Sequence, residues 1–183
     1  MYGLLGLIIS LFFFAVLSLP HYASADPPGR SEYEIKAAFL YNFLKFVEWP
    51  EKNSTNSNSP INLCILGHDP FGNSMNNFIA LKIAGRKVFL QRMTSISSIR
   101  DCHAVFISGS EKGSVRSITD LAIKRHILTI GDTEQFAQQG VIINMFLGNN
   151  KVRFEINLDA ANRAGLRIDA RLLSLAAIVR DKE

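Results

Sequence analysis

From residue 31 onward the apolar and polar positions alternate between strand and helix periods. Val141, Ile142, Ile143, Met145, Phe146 and Leu147 form an almost unbroken apolar run, and a strand apolar at both parities needs cover on both faces. A central strand is expected there. After the turn residues Gly148, Asn149 and Asn150, Val152, Phe154 and Ile156 alternate with Lys151, Arg153 and Glu155. That pattern predicts a hairpin partner with one wet face, at the edge of the sheet. Asn157 is placed to cap a short helix that Gly165 stops, and Asp169 to cap a last helix over 169–179 lying on the sheet through Leu172, Leu173, Leu175, Ala176 and Val179.

The preceding part of the chain repeats strand and helix in turn. Ser31 and Glu34 form a capping box ahead of a helix over 31–49, which Pro50 ends. Its apolar residues cover two stripes, so it is either buried between layers or keeps one stripe for a partner. A polar loop over 51–60 leads to strands at 61–66, 87–90, 104–108 and 127–130. Helices are expected between them, one ending near Leu81 and one over 111–126, with a short one through Phe136 and Ala137. The order predicts an α/β fold: a three-layer, mostly parallel sheet flanked by helices on both faces, with an antiparallel C-terminal hairpin.

Residues 3–19 carry no charge, and Ala23, Ser24 and Ala25 offer a small-x-small cleavage site before Asp26. Residues 1–25 are read as a signal peptide, which leaves 26–183 as a single domain of an exported protein. The competing reading is a membrane anchor, since Lys and Arg are missing from the n-region, but the apolar run is shorter than the roughly 20 residues a span needs. The net charge of +4 is spread along the chain, which argues against a nucleic-acid partner. Cys64 and Cys102 are the two cysteines. In an oxidising compartment an even count suggests one disulfide; two reduced, buried thiols are the alternative.

Catalytic patterns fail on inspection. Gly67, Gly72 and Ser74 have P-loop spacing, but Asn73 stands where the phosphate-binding lysine must be. Dinucleotide fingerprints and nucleophile elbows are missing as well. Cys64, His68, Cys102 and His103 would make an awkward metal set, because adjacent residues on a strand point to opposite faces. His126 at a helix C-terminus is read as structural. No enzyme and no cofactor is expected. Arg167, just ahead of the helix start at Asp169, offers a guanidinium for a carboxylate or another anion, with a solvated or acid-paired side chain as the alternative.

Two segments together carry a resemblance. The first contains Lys36, Ala37, Ala38, Phe39, Leu40, Tyr41, Asn42 and Phe43, followed by Lys45, Phe46, Val47, Glu48, Trp49 and Pro50. The second runs from Gly140 to Asn144 and continues with Arg153, Phe154, Glu155, Ile156 and Asn157, then Ala160, Ala161, Ala164, Gly165 and Leu166. Together they resemble the YfiR family. That resemblance implies a periplasmic, homodimeric repressor that binds the periplasmic sensor domain of an inner-membrane diguanylate cyclase, lowering cyclic-di-GMP and biofilm formation. It also implies release under envelope or redox stress, a disulfide between Cys64 and Cys102, and a small amino-acid-like ligand near the C-terminal half, where Arg167 stands. Arg153, Phe154 and Glu155 on the wet-faced strand join Arg167 as candidate contacts for a ligand or partner. A small-molecule binding module serving another receptor or transporter is the second reading.

Overall fold

Side-chain parity along the strands sorts the apolar residues into two cores in the computed structural model, which describes residues 29–50 and 59–181. The leader read at 1–25 and most of the loop read at 51–60 lie outside the described residues. The chain runs through α1 (Gly29–Lys45), β1 (Val47–Glu48), β2 (Ile61–Leu66), α2 (Asn76–Ile79), β3 (Lys82–Ile83), β4 (Arg86–Met93) and β5 (Ala104–Ile107). It continues with α3 (Val115–Arg125), β6 (Leu128–Gly131), β7 (Ile143–Gly148), β8 (Lys151–Asn157), α4 (Leu158–Arg163), β9 (Arg167–Ile168), α5 (Ala170–Leu173) and β10 (Ala177–Val179). Short 3-10 turns join several of these.

Ile61, Leu63 and Ile65 of β2 enter one core, whereas Cys64 and Leu66 enter the other. Strand β5 divides likewise, with Ala104 and Phe106 on the first face and Val105 and Ile107 on the second. Each face needs its own cover. Helix α1 supplies the first through Ala37, Leu40, Phe43 and Leu44, and α3 the second through Val115, Ile118 and Ala122. The eight-stranded sheet has the order β10-β8-β7-β6-β5-β2-β4-β3, antiparallel at β7–β8 and β3–β4 and parallel elsewhere. It is the α/β arrangement that the alternating pattern predicts.

Several boundaries differ from expectation. Helix α1 begins at Gly29, ahead of Ser31, and stops at Lys45 rather than Trp49. The residues after it form β1, which pairs antiparallel with β9. β-branched Val47 and the pre-proline Trp49 both favour extended backbone, and β9 supplies the partner ladder. At the other end, the helix expected over 169–179 is cut to α5, and Ala177–Val179 becomes β10, parallel to β8. Ile178 and Val179 are good strand formers, and the open side of β8 offers them a ladder. β8 is therefore an interior strand, not the edge. The apolar run before it is buried only as far as Met145, while Phe146 and Leu147 are exposed. The turn between the two strands is as its residues suggest, with Asn149 and Asn150 both at positive φ, 53° and 58°.

Phe154 belongs to the core: it is 4% exposed, and its ring lies 5.6 Å from Phe39 and 5.0 Å from Phe43. It therefore offers no surface to a partner. Cys64 and Cys102 are bonded, with Cα atoms 6.1 Å apart, so the thiol alternative is set aside. The bond ties β2 to the segment that leads into β5.

Two outcomes follow for stability. Phe154→Ala is expected to cost about 3–5 kcal/mol in urea unfolding, because the large cavity lies between α1 and the sheet. A loss below about 1 kcal/mol would mean that α1 packs elsewhere. Replacing both cysteines by alanine releases a loop of 38 residues and is expected to cost about 4 kcal/mol by the loop-entropy model. Identical unfolding midpoints with and without reductant would contradict a stabilising bond.

Candidate functional site

After β2 the chain adds β4 on one side, then returns to place β5, β6 and β7 on the other. Open α/β sheets hold ligands outside the carboxyl ends of the strands at such a reversal. The loops there meet closely. Gly67 follows β2 with φ of +88°, and a Cβ on it would stand 2.3 Å from Ser110 Oγ. That hydroxyl accepts a hydrogen bond from the His68 N–H at 3.1 Å. A crevice of about 610 Å³ remains, lined by Tyr33 and Lys36 of α1, by Ser108 and Ser110 after β5, and by Asp132 and Thr133 after β6.

Lys36 fills the polar part of this crevice although it is only 3% exposed. Its ammonium lies 2.5 Å from Glu32 and 2.8 Å from Asp132, and it sits 4.6 Å from the centre of the Tyr33 ring. Tyr33 donates its hydroxyl to the same Asp132 at 3.0 Å. Burial pulls the Lys36 ammonium down, but its hydrogen bonds to Asp132 and Glu32 outweigh that and hold it above the ordinary value. Burial raises the Tyr33 phenol, and the Asp132 charge adds to the effect. An ammonium so occupied is neither a nucleophile nor a free anion receptor. It anchors the first turns of α1 to the end of β6.

A second cleft, of about 530 Å³, shares Glu32, Lys36 and Asp132 with the first and extends towards the β7–β8 hairpin. Asn144 of β7 stands opposite Glu155 of β8, and its amide donates to Glu155 Oε1 and to the Thr133 carbonyl, both at 3.0 Å. Gly131 makes room for this arrangement, because a Cβ there would lie 2.6 Å from the Phe136 ring and 3.2 Å from Asn144 Oδ1.

The residues singled out from the sequence lie in separate places. Arg153 is exposed and pairs across the ladder with Phe146, whereas Glu155 is half-buried against Asn144. Phe154 points to the opposite face. Arg167 sits on the β1–β9 ribbon with its side chain 85% exposed and 3.6 Å from Glu48. Its neighbour Asp169 caps α5, accepting from the Arg171 N–H at 2.8 Å, and is gripped by the Arg171 guanidinium. Those hydrogen bonds hold the Asp169 carboxyl at about 2. The Lys36, Asp132 and Tyr33 cluster was missed in the sequence because its members are 96 and 99 residues apart. One signal was present: Lys36 falls beside Ala37 and Leu40, within the apolar stripe of α1.

Residues 33–177 match the model of the YfiR/HmsC-like family. The chain belongs to that family. YfiR/HmsC-like proteins are periplasmic regulators, and residues 36–50 and 140–166 both fall within the matched range. Solved structures similar to this YfiR/HmsC-like chain include a conserved domain protein from Vibrio cholerae, at 11% identity and a TM-score of 0.52, covering 82% of this chain and 60% of that one. Another is a ligand-free, open substrate-binding protein with adhesive properties from Clostridium difficile, at 11% identity and a TM-score of 0.50, covering 68% and 55%. This chain thus spans about three fifths of the length of those proteins. At such identities the likeness shows the fold alone. Among the described residues no helix is long and apolar enough to cross a membrane.

Lys36→Met leaves Asp132 buried without its cation and is expected to cost about 3–5 kcal/mol at neutral pH. The folded value of the ammonium lies above the ordinary 10.5, so its contribution is complete below pH 10.5 and fades as pH rises through the folded value. The gap between wild type and Lys36→Met in urea unfolding should therefore narrow as pH rises past 10.5 through the folded value. A gap that stays constant into strong alkali would show that the ion pair does not hold α1.

Proposed function

We propose that this chain is an exported, non-enzymatic regulator that binds the periplasmic sensor domain of an inner-membrane diguanylate cyclase and represses it, acting as a homodimer. Lower cyclic-di-GMP and restrained biofilm formation are the outputs. The supporting observation is the family match over 33–177, which takes in most of α1, the disulfide and the β7–β8 hairpin together. The Cys64–Cys102 bond closes the β2–β5 junction beneath α3, a reasonable control point for redox release. Arg167, Arg153 and Glu155 remain the contacts proposed for a partner or a small amino-acid-like ligand, and Phe154 is withdrawn from that set. The leader at 1–25 would deliver the chain to the periplasm, with 26–183 acting as one domain.

A second reading, a small-molecule binding module serving another receptor or transporter, draws support from the likeness in fold to the Clostridium difficile substrate-binding protein. Deleting the gene in its native host separates the two. The regulatory reading expects cyclic-di-GMP and biofilm mass to rise, both returning on complementation, and expects the tagged protein to co-purify with a membrane cyclase. Unchanged cyclic-di-GMP in the deletion strain would overturn it. Unchanged cyclic-di-GMP with impaired uptake of one nutrient would favour the second.

A further inference from the structure

At the amino end of β5, the half-buried ring of His103 is met from β2, from β4 and from the segment after β1. The Asn62 N–H donates to its Nδ1 at 3.1 Å, and Arg86 Nη2 lies 3.3 Å from its Nε2. Both neighbours are donors, whereas a neutral imidazole has one lone pair to give. The Asn62 N–H takes that lone pair, so the ring proton sits on Nε2 and faces the guanidinium. A second proton, on Nδ1, would set donor against donor at Asn62 and cation against cation at Arg86. Arg86 is not free to yield, because it also donates to the carbonyls of Ser59 and Pro60.

Among the described residues no carboxylate is hydrogen-bonded to the ring to relieve this. Asp101 meets Asn62 through its backbone carbonyl, which accepts from the Asn62 amide at 2.9 Å. Glu48 faces Arg167 across the ribbon. His126, which flanks Gly165 together with Pro50, has Nδ1 at 2.7 Å from the Ala164 carbonyl, a bond that its protonated ring can also make. Burial, with the Arg86 charge adding to it, holds the His103 ring below the ordinary 6.5. What rests on that ring is Trp49, the single tryptophan. Its indole meets the imidazole edge to face, with centroids 6.1 Å apart, and donates to the His103 carbonyl at 3.0 Å. Trp49 directly follows β1, whose Glu48 pairs with Arg167 of β9.

We propose that His103 is an acid-sensitive latch. Neutral, it accepts from Asn62 and gives Trp49 a ring to pack on; protonated, it is driven off Asn62 and Arg86 and releases Trp49, and with it the end of the β1–β9 ribbon that carries Arg167. Because the folded value lies below 6.5, the latch is fully closed above that pH and opens as pH falls through the folded value. The rest of the sheet keeps its cover, since neither core depends on the indole alone. The latch stands whether or not the cyclase reading holds.

Fluorescence of the mature protein tests this, because Trp49 is its one indole. Acidification should shift the Trp49 emission reversibly to longer wavelength, with a midpoint below 6.5 and no change in far-ultraviolet circular dichroism. Arg86→Met removes the facing cation and should move the midpoint upward. His103→Asn keeps an acceptor for the Asn62 N–H but cannot gain a charge in this range, so the transition should disappear. His68→Gln and His126→Gln should leave it in place. Quenching without a shift to longer wavelength overturns the latch, because the charge then arrives while the indole stays packed. It is also overturned by a midpoint that Arg86→Met does not move, or by a transition that survives in His103→Asn. Should these variants fail to fold, the ring resonances of His103 in the wild type, followed with pH, decide the matter, and a midpoint at or above 6.5 overturns it.

Discussion

The strands at the centre of the sheet are apolar at both parities, and neither face of such a sheet can be left to water. Cys64 and Leu66 demand a layer on one side as firmly as Leu63 and Ile65 do on the other. Helices α1 and α3 are the two answers, and the disulfide reinforces the strand pair that lies between them. Everything placed at the carboxyl ends of the strands inherits its position from that sandwich. Lys36 reaches Asp132 because α1 is already held flat by Leu40, Phe43 and Leu44 further along its length.

Most of the architecture was legible because its signals are local. The strands at 61–66 and 104–107 announce themselves by composition, the Asn149–Asn150 turn by its tolerance of positive φ, and the caps at Asn157 and Asp169 by side-chain oxygens that do accept the expected N–H bonds. What misled was competition between tertiary partners. Residues 177–179 fit a helical stripe in isolation, but the unpaired side of β8 makes a strand the better arrangement for them. Phe154 looked like half of a surface because it alternates with Arg153 and Glu155, yet alternation says only that two faces differ, and here the apolar one is sealed by Phe39 and Phe43. The site itself was illegible for a simpler reason, since a lysine and an aspartate 96 residues apart carry no mutual signature.

The two clefts at this end of the sheet have opposite characters despite sharing three residues. In one, the protein's own ammonium occupies the position at which folds of this type hold a ligand, and the crevice is spent on holding a helix. In the other, the carboxylates of Glu32, Asp132, Glu134 and Glu155 stand with one ammonium among them.

The long span between α1 and its partners also orders events in time. Helix α1 comes early in the chain, but Asp132 and Phe154, which receive Lys36 and Phe39, lie roughly a hundred residues downstream. Closing so long a loop is entropically costlier than closing the shorter ones, so the contacts of α1 to Asp132 and Phe154 are expected to form after those it makes with residues 61–79. Phe71 and Phe78 meet Tyr33 and Tyr41 from nearer in the chain, and β6 and β8 complete the cover.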